Sequence, residues 1–241
     1  MSWHLPPRAQ RRRLVAPLVL FTVATAQVAT LVSARLGLSD AYVVKALVPF
    51  VVFSVIASGS LTSSHPFDRL GPANVVTCFR LLLTGLAAGC IGERSSLSIA
   101  AMVAGITVVV TALDGLDGWL ARRTGMASAF GARFDMETDA FLILVLAVLA
   151  WQHGKAGPWI VLAGAMRYLF VVAGWAWTWL DAPLPPSTRR KTVCVVQIVG
   201  LGAVVSPLLV VPASLVAAGI TLAALTWSFL VDVLWLRRQA G

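Results

Sequence analysis

Eight apolar runs, each about long enough to cross a membrane as a helix, constrain this chain more than any other feature of its sequence. They lie near 14–34, 41–62, 74–92, 96–119, 136–153, 157–180, 192–210 and 213–236. The hydrocarbon layer is roughly 30 Å thick, and a helix rising about 1.5 Å per residue needs about 20 residues to cross it. Lipid offers no partner to a backbone N–H or C=O, so a helix, which satisfies both internally, is the form such runs take. Charged residues make up 12% of the 241 residues and the mean hydropathy is +0.86, whereas a soluble domain carries about a quarter charged residues. The expected fold is all-α, a polytopic transmembrane helix bundle.

The basic residues orient it. With the N-terminus in the cytoplasm, eight spans return the C-terminus to the same side. Thirteen of the nineteen Lys and Arg residues then fall in cytoplasmic segments, against Arg35, Arg94 and Lys155 on the other side. That is the positive-inside pattern, as expected of an integral protein of a bacterial cytoplasmic membrane with both termini cytoplasmic. The formal charge of +9 is accounted for by topology and by attraction to anionic membrane lipids, so no nucleic-acid partner is implied. "RRRLVAPLVLFTVATAQVATLVSA" is read as a retained span, because its apolar body exceeds the roughly 7–15 residues of a signal peptide. Cys78, Cys90 and Cys194 are far apart and inside spans, and are read as buried, inert thiols. Trp119, Trp151, Trp159 and Trp179 lie near span ends as interfacial anchors.

Residues 1–66 form a tail and two accessory spans with few ionisable groups. Residues 67–241 form a six-helix unit that holds nearly all the polar residues within the membrane. There is no internal repeat. Pro72 and Asn74 mark the start of the six-helix unit, with Asn74 as the expected N-cap.

"LDGLDGWLARRTGMASAFGARFDMETD", Leu113 to Asp139, holds five of the ten acidic residues. Asp114 and Asp117 are three apart and Asp135 and Asp139 four apart, so each pair shares one face of a helix. A short turn around Thr124 to Ser128 can bring the two faces together. Clustered carboxylates repel one another unless a cation binds, and such clusters at membrane spans are functional by default. Oxygen ligands without His or Cys favour Mg²⁺ or Mn²⁺ over Zn²⁺. Gly115, Gly118 and Gly131 leave room for a bulky ligand, and Arg122 can pair with a phosphate. The composition is that of a two-metal, phosphate-handling site.

Asp114, Asp117, Gly118, Ala121, Arg122, Gly131, Asp135 and Asp139 fit D-x₂-D-G-x₂-A-R-x₈-G-x₃-D-x₃-D at every position. In this the chain resembles the CDP-alcohol phosphatidyltransferase family. "PANVVTCFR", with Pro72, Asn74, Thr77 and Arg80, is similar to that family's opening motif. The resemblance implies transfer of a substituted phosphoryl group from CDP-diacylglycerol or another CDP-linked donor to a small polar or lipid alcohol, with release of CMP. It implies two divalent ions on Asp114, Asp117, Asp135 and Asp139, with Asp139 also the general base. It places Asn74, Thr77, Arg80, Gly118, Ala121, Arg122 and Gly131 on the donor. Arg167, inside a span, and Arg189, Arg190 and Lys191, at the start of another, are expected to bind an anionic acceptor. Members of the family are often homodimers, an expectation that no feature of this sequence localises.

Two other classes use acidic groups in membranes. A divalent-cation transporter would place them near mid-membrane on broken helices, and gains nothing from Arg122 beside its cation. Other Mg²⁺-dependent intramembrane transferases, prenyltransferases among them, carry two Asp motifs far apart in the chain, whereas here both pairs flank one turn.

Overall fold

The computed structural model describes residues 8–64, 67 and 69–240, with 8–15 and 56–64 described as backbone only. The side chains of Arg8, Arg11, Arg12 and Arg13 therefore lie outside the described residues, as do His4, His65 and residue 66, the last before the expected boundary. Eight α-helices form among the described residues, and no strand: α1 Arg8–Leu36, α2 Ala41–Ser64, α3 Pro72–Gly89, α4 Leu97–Arg123, α5 Ala129–Gln152, α6 Val161–Ala176, α7 Thr188–Val205 and α8 Ala213–Ala240. Each corresponds to one expected span.

Five stretches among the described residues are long and apolar enough to cross a membrane: Ala16–Leu36, Pro72–Gly89, Leu97–Arg123, Pro158–Ala176, which joins the 3-10 turn Pro158–Ile160 to α6, and Ala213–Ala240. In α2 the apolar stretch with described side chains, Ala41–Val55, is shorter. The other two fall short because of charge. α5 opens with Arg133, Asp135, Glu137 and Asp139, and α7 with Arg189, Arg190 and Lys191.

α3 begins earlier than the sequence suggested. Pro72 takes the first helical position, Gly71 at φ 82° is the cap, and Asn74 lies inside the first turn. Proline's fixed φ suits that position, where a missing N–H costs nothing. Instead of capping, the Asn74 amide reaches back and donates to Leu70 O at 2.5 Å.

The chain forms two compact units. The first comprises residues 1–94 and 109–138, the second 95–108 and 139–241. In the first unit α1, α2 and α3 pack on one another, with Phe21 of α1 stacked on Phe50 of α2. Small residues let α2 approach α3 to backbone contact. A Cβ on Gly85 would lie 2.6 Å from the Ala46 carbonyl oxygen, and one on Gly89 would lie 2.7 Å from the Tyr42 ring. The Tyr42 hydroxyl donates to Leu86 O at 3.0 Å. Glu93, in the loop after α3, accepts from the Lys45 ammonium at 2.6 Å and from the Ser39 hydroxyl and amide. Lys45 is thus the partner of Glu93.

In the second unit the same logic recurs. Gly164 of α6 lies against the backbone of Leu144 on α5, Gly200 of α7 against Thr221 on α8, and Gly202 against Thr107 on α4. Polar ties hold both ends of the α7 and α8 pair. Arg189 binds Ser228 and Asp232 at one end. At the other, Lys155 donates to Leu209 O and Ser214 donates to Lys155 O.

Candidate active site

α4 and α5 are joined by the expected short turn. Gly125 takes φ 64° after the last turn of α4. Ser128 then caps α5, its hydroxyl accepting from the Gly131 amide at 3.1 Å, which satisfies one of the free N–H groups of a helix start. The antiparallel return that follows brings Asp135 to Asp114.

In the first unit these aspartates meet around Arg80. The guanidinium, on α3, is fully buried. Its Nη2 lies 2.8 Å from Asp114 Oδ1 and its Nη1 2.5 Å from Asp117 Oδ2, and Nη1 also pairs with Asp135 Oδ1. Thr77, one turn earlier on α3, places its hydroxyl 3.4 Å from Asp117 Oδ2. Asp117 is buried, with a side-chain exposure of 6%, whereas Asp114 and Asp135 keep 27% and 37%. The cluster is closed on the Arg80 side and open on the side of Asp114 and Asp135.

One guanidinium facing three carboxylates leaves the cluster short of positive charge. Asp114 and Asp135 each bring a carboxylate oxygen within 4.8 Å of the other. Accessible carboxylates around a charge deficit form the all-oxygen donor set of a hard divalent cation, so these residues fit the metal that the motif implies.

The glycines have separate reasons. A Cβ on Gly131 would lie 2.8 Å from Asn74 Oδ1, so α5 passes this close to the start of α3 only as glycine. At Gly115 a Cβ would meet nothing within 4 Å, so packing within the protein does not require glycine there. At Gly118 the neighbour would be the exposed Arg122, whose Nη1 lies at 3.5 Å. Ala121 is half-buried on the same helix. Arg122 and Arg123 end α4, where the helix dipole favours cations, and Arg123 lies over the Trp119 ring at 4.9 Å.

Asp139 is one turn beyond Asp135 on the same face of α5. It belongs to the second unit, where its Oδ2 lies 3.7 Å from Cys194 Sγ on α7. This corrects the reading of the three cysteines as buried and inert. Cys78 and Cys90 are buried, but Cys194 is only half-buried and touches the expected base. Hydropathy could not separate Cys194 from the others, because the distinction comes from the neighbouring helix.

Two of the residues expected at the acceptor, Arg189 and Arg190, share one carboxylate. Arg189 Nη2 and Arg190 Nη1 lie 2.5 and 3.1 Å from Asp232 Oδ1 on α8. Arg189 also donates to the Ser228 hydroxyl at 2.5 Å and stacks over Trp227, and Arg190 reaches Pro185 O. Lys191 is exposed, and Arg167 is half-buried on α6. Asp232 was not singled out from the sequence, although an acid in so apolar a helix is a signal of pairing.

The family model described as CDP-alcohol phosphatidyltransferase matches residues 71–232. The match takes in α3 through α7 and most of α8. No solved structure matches the chain.

Proposed function

The chain belongs to the CDP-alcohol phosphatidyltransferase family, and from that premise we propose that it transfers a phosphatidyl or other substituted phosphoryl group from CDP-diacylglycerol or another CDP-linked donor to an alcohol, in phospholipid biosynthesis. The observation that carries this reading is the convergence of Asp114, Asp117 and Asp135 on the buried Arg80, at the spacing the family motif prescribes.

The catalytic part is residues 67–241. Asp114, Asp117, Asp135 and Asp139 would hold two Mg²⁺ or Mn²⁺ ions, whose charge, when bound, neutralises the donor diphosphate and the departing CMP. Arg80 acts through the carboxylates as their counter-ion, fixing where they stand, and does not itself reach the donor. Gly115 and Gly118 leave the α4 backbone open to the diphosphate, while Arg122, beside Gly118, pairs with its phosphate oxygens. Thr77, Asn74, Ala121 and Gly131 shape the nucleotide side. Asp139 takes the proton of the acceptor hydroxyl. The acceptor oxygen then forms a bond to the donor-side phosphorus, and the bond from that phosphorus to the CMP oxygen breaks with its electron pair leaving on CMP. With the basic segments cytoplasmic, this site lies at the cytoplasmic face of the membrane, where a water-soluble leaving nucleotide can depart.

The test is CMP release by the detergent-purified protein from CDP-diacylglycerol and Mg²⁺ over a panel of alcohols, with Asp139→Asn as control. Release that depends on one alcohol supports the proposal and names the product. No release from a protein that CMP still stabilises thermally points to a different CDP-linked donor. Indifference to CMP rejects the transferase and favours cation transport.

A further inference from the structure

α7 carries a polar side chain with no hydrogen-bond partner among the described residues. Gln197 is fully buried, and neither its carbonyl oxygen nor its amide nitrogen has a hydrogen-bond partner among the described residues. Folding strips such a group of water with no return, so buried amides are nearly always paired. Apolar residues surround it along the same helix: Ile198, Leu201, Val204 and Val205 are all buried.

Its position supplies a reason. Gln197 follows Cys194 by three residues and so shares its face of α7, and Cys194 Sγ lies 3.7 Å from Asp139 Oδ2. Long side chains on a helix lean toward its N-terminus, over the preceding turn. That lean carries the Gln197 amide back toward the level of Cys194 and Asp139. The cations at the start of α7 do not serve the amide, since Arg189 and Arg190 are engaged by Asp232.

We propose that Gln197 is an acceptor-binding residue: its amide holds a neutral hydroxyl of the alcohol substrate, adjacent to the hydroxyl that Asp139 deprotonates. This rests on the transferase reading above and narrows it. An amide offers one acceptor atom and one donor group, which together match a hydroxyl that donates and accepts at once. The substrate class is therefore a polyhydric alcohol bearing a free hydroxyl next to the reacting one. A substrate lacking that hydroxyl leaves the buried amide unpaired and is selected against.

The experiment compares the wild type with Gln197→Met, which keeps the unbranched shape and removes the amide. Gln197→Leu serves if the Met variant does not fold. CMP release from CDP-diacylglycerol is measured against glycerol 3-phosphate, myo-inositol, serine and phosphatidylglycerol, and against 3-hydroxypropyl phosphate, which is glycerol 3-phosphate without its middle hydroxyl. The shift in Tm caused by each alcohol without donor is read in parallel. The expected result is an acceptor KM raised about tenfold or more by the loss of a buried hydrogen bond, a donor KM within about twofold, and loss of the alcohol-induced Tm shift with the CMP-induced shift retained. A folded, active variant with unchanged acceptor KM overturns the assignment and leaves the transferase standing. A wild type that releases no CMP and is not stabilised by it, yet is stabilised by one alcohol only while Gln197 is present, upholds the amide as an alcohol-binding group and rejects the transferase. A wild type stabilised by none of the alcohols overturns the assignment, and overturns the transferase as well when CMP neither is released nor stabilises the protein.

Discussion

Arg80→Met tests the centre of the site most directly, because it removes a fully buried cation that touches three carboxylates at once. Without the guanidinium, Asp114 and Asp135 still hold oxygens within 4.8 Å of each other. At an effective dielectric constant of about 20, two unit charges at that separation repel by about 3.5 kcal/mol. Removing one member of a buried ion pair costs about 3–5 kcal/mol. Asp114 and Asp135 retain 27% and 37% exposure, so water screens part of the repulsion and the lower end, about 3 kcal/mol, applies. For a chain of this size that corresponds to a Tm lowered by roughly 6–12 °C. The assay is thermal unfolding of the detergent-purified protein, first in EDTA and then in excess Mg²⁺. Divalent ions supply the charge that Arg80 supplied, so the variant gains more from Mg²⁺ than the wild type does. Arg80→Lys restores little, since one ammonium lacks the fork that spans three carboxylates. A variant whose Tm in EDTA stays within about 2 °C of the wild type would refute the counter-ion role.

Asp139→Asn abolishes CMP release while the Mg²⁺-dependent CDP-induced Tm shift is retained; a variant that fails to fold, or keeps turning over, removes Asp139 from the role of base. Gly131→Ala forces a methyl to 2.8 Å from Asn74 Oδ1 and loosens the Asn74 bond to Leu70 O, which costs about 1–3 kcal/mol as overpacking and raises the donor KM; an unchanged Tm and donor KM would show that α3 and α5 tolerate the side chain. Burial acts to raise the pKa of Glu93, but hydrogen bonds from Lys45 and Ser39 outweigh it and hold the carboxyl at about 2. Because that pKa is depressed on folding, the advantage of wild type over Glu93→Gln is full above the ordinary glutamate value of about 4.3 and fades as pH falls toward 2. Tm measured for both proteins from pH 6 downward checks this, and a gap that does not narrow with acid counts against it.

Much of the molecule was legible without coordinates. Each of the eight helices follows from an apolar run of membrane length, because lipid leaves the backbone no other way to pair its polar groups. The register of Asp114 with Asp117, and of Asp135 with Asp139, follows from helical periodicity. The turn between them follows from Gly125 and Ser128. Asn74 was misjudged because its residue type suits a cap; Pro72, which suits the first helical position better, moved the helix start upstream.

What periodicity does not carry is which face meets which neighbour. Arg80 reads in the sequence as a donor-binding arginine, and that it meets three aspartates shows only in the fold. Arg189 and Arg190 read in the sequence as acceptor residues, while their pairing with Asp232, over 40 positions away, shows only in the fold. Cys194 looked like the other two thiols until α7 set it against Asp139. The chain's order of residues determined the spans and the motif, because these depend on local spacing and on the solvent around each helix, and the motif carried the resemblance to the family. Only the tertiary structure decided which charges neutralise one another and which buried amide has no partner among the described residues, because those depend on contacts between side chains far apart in sequence.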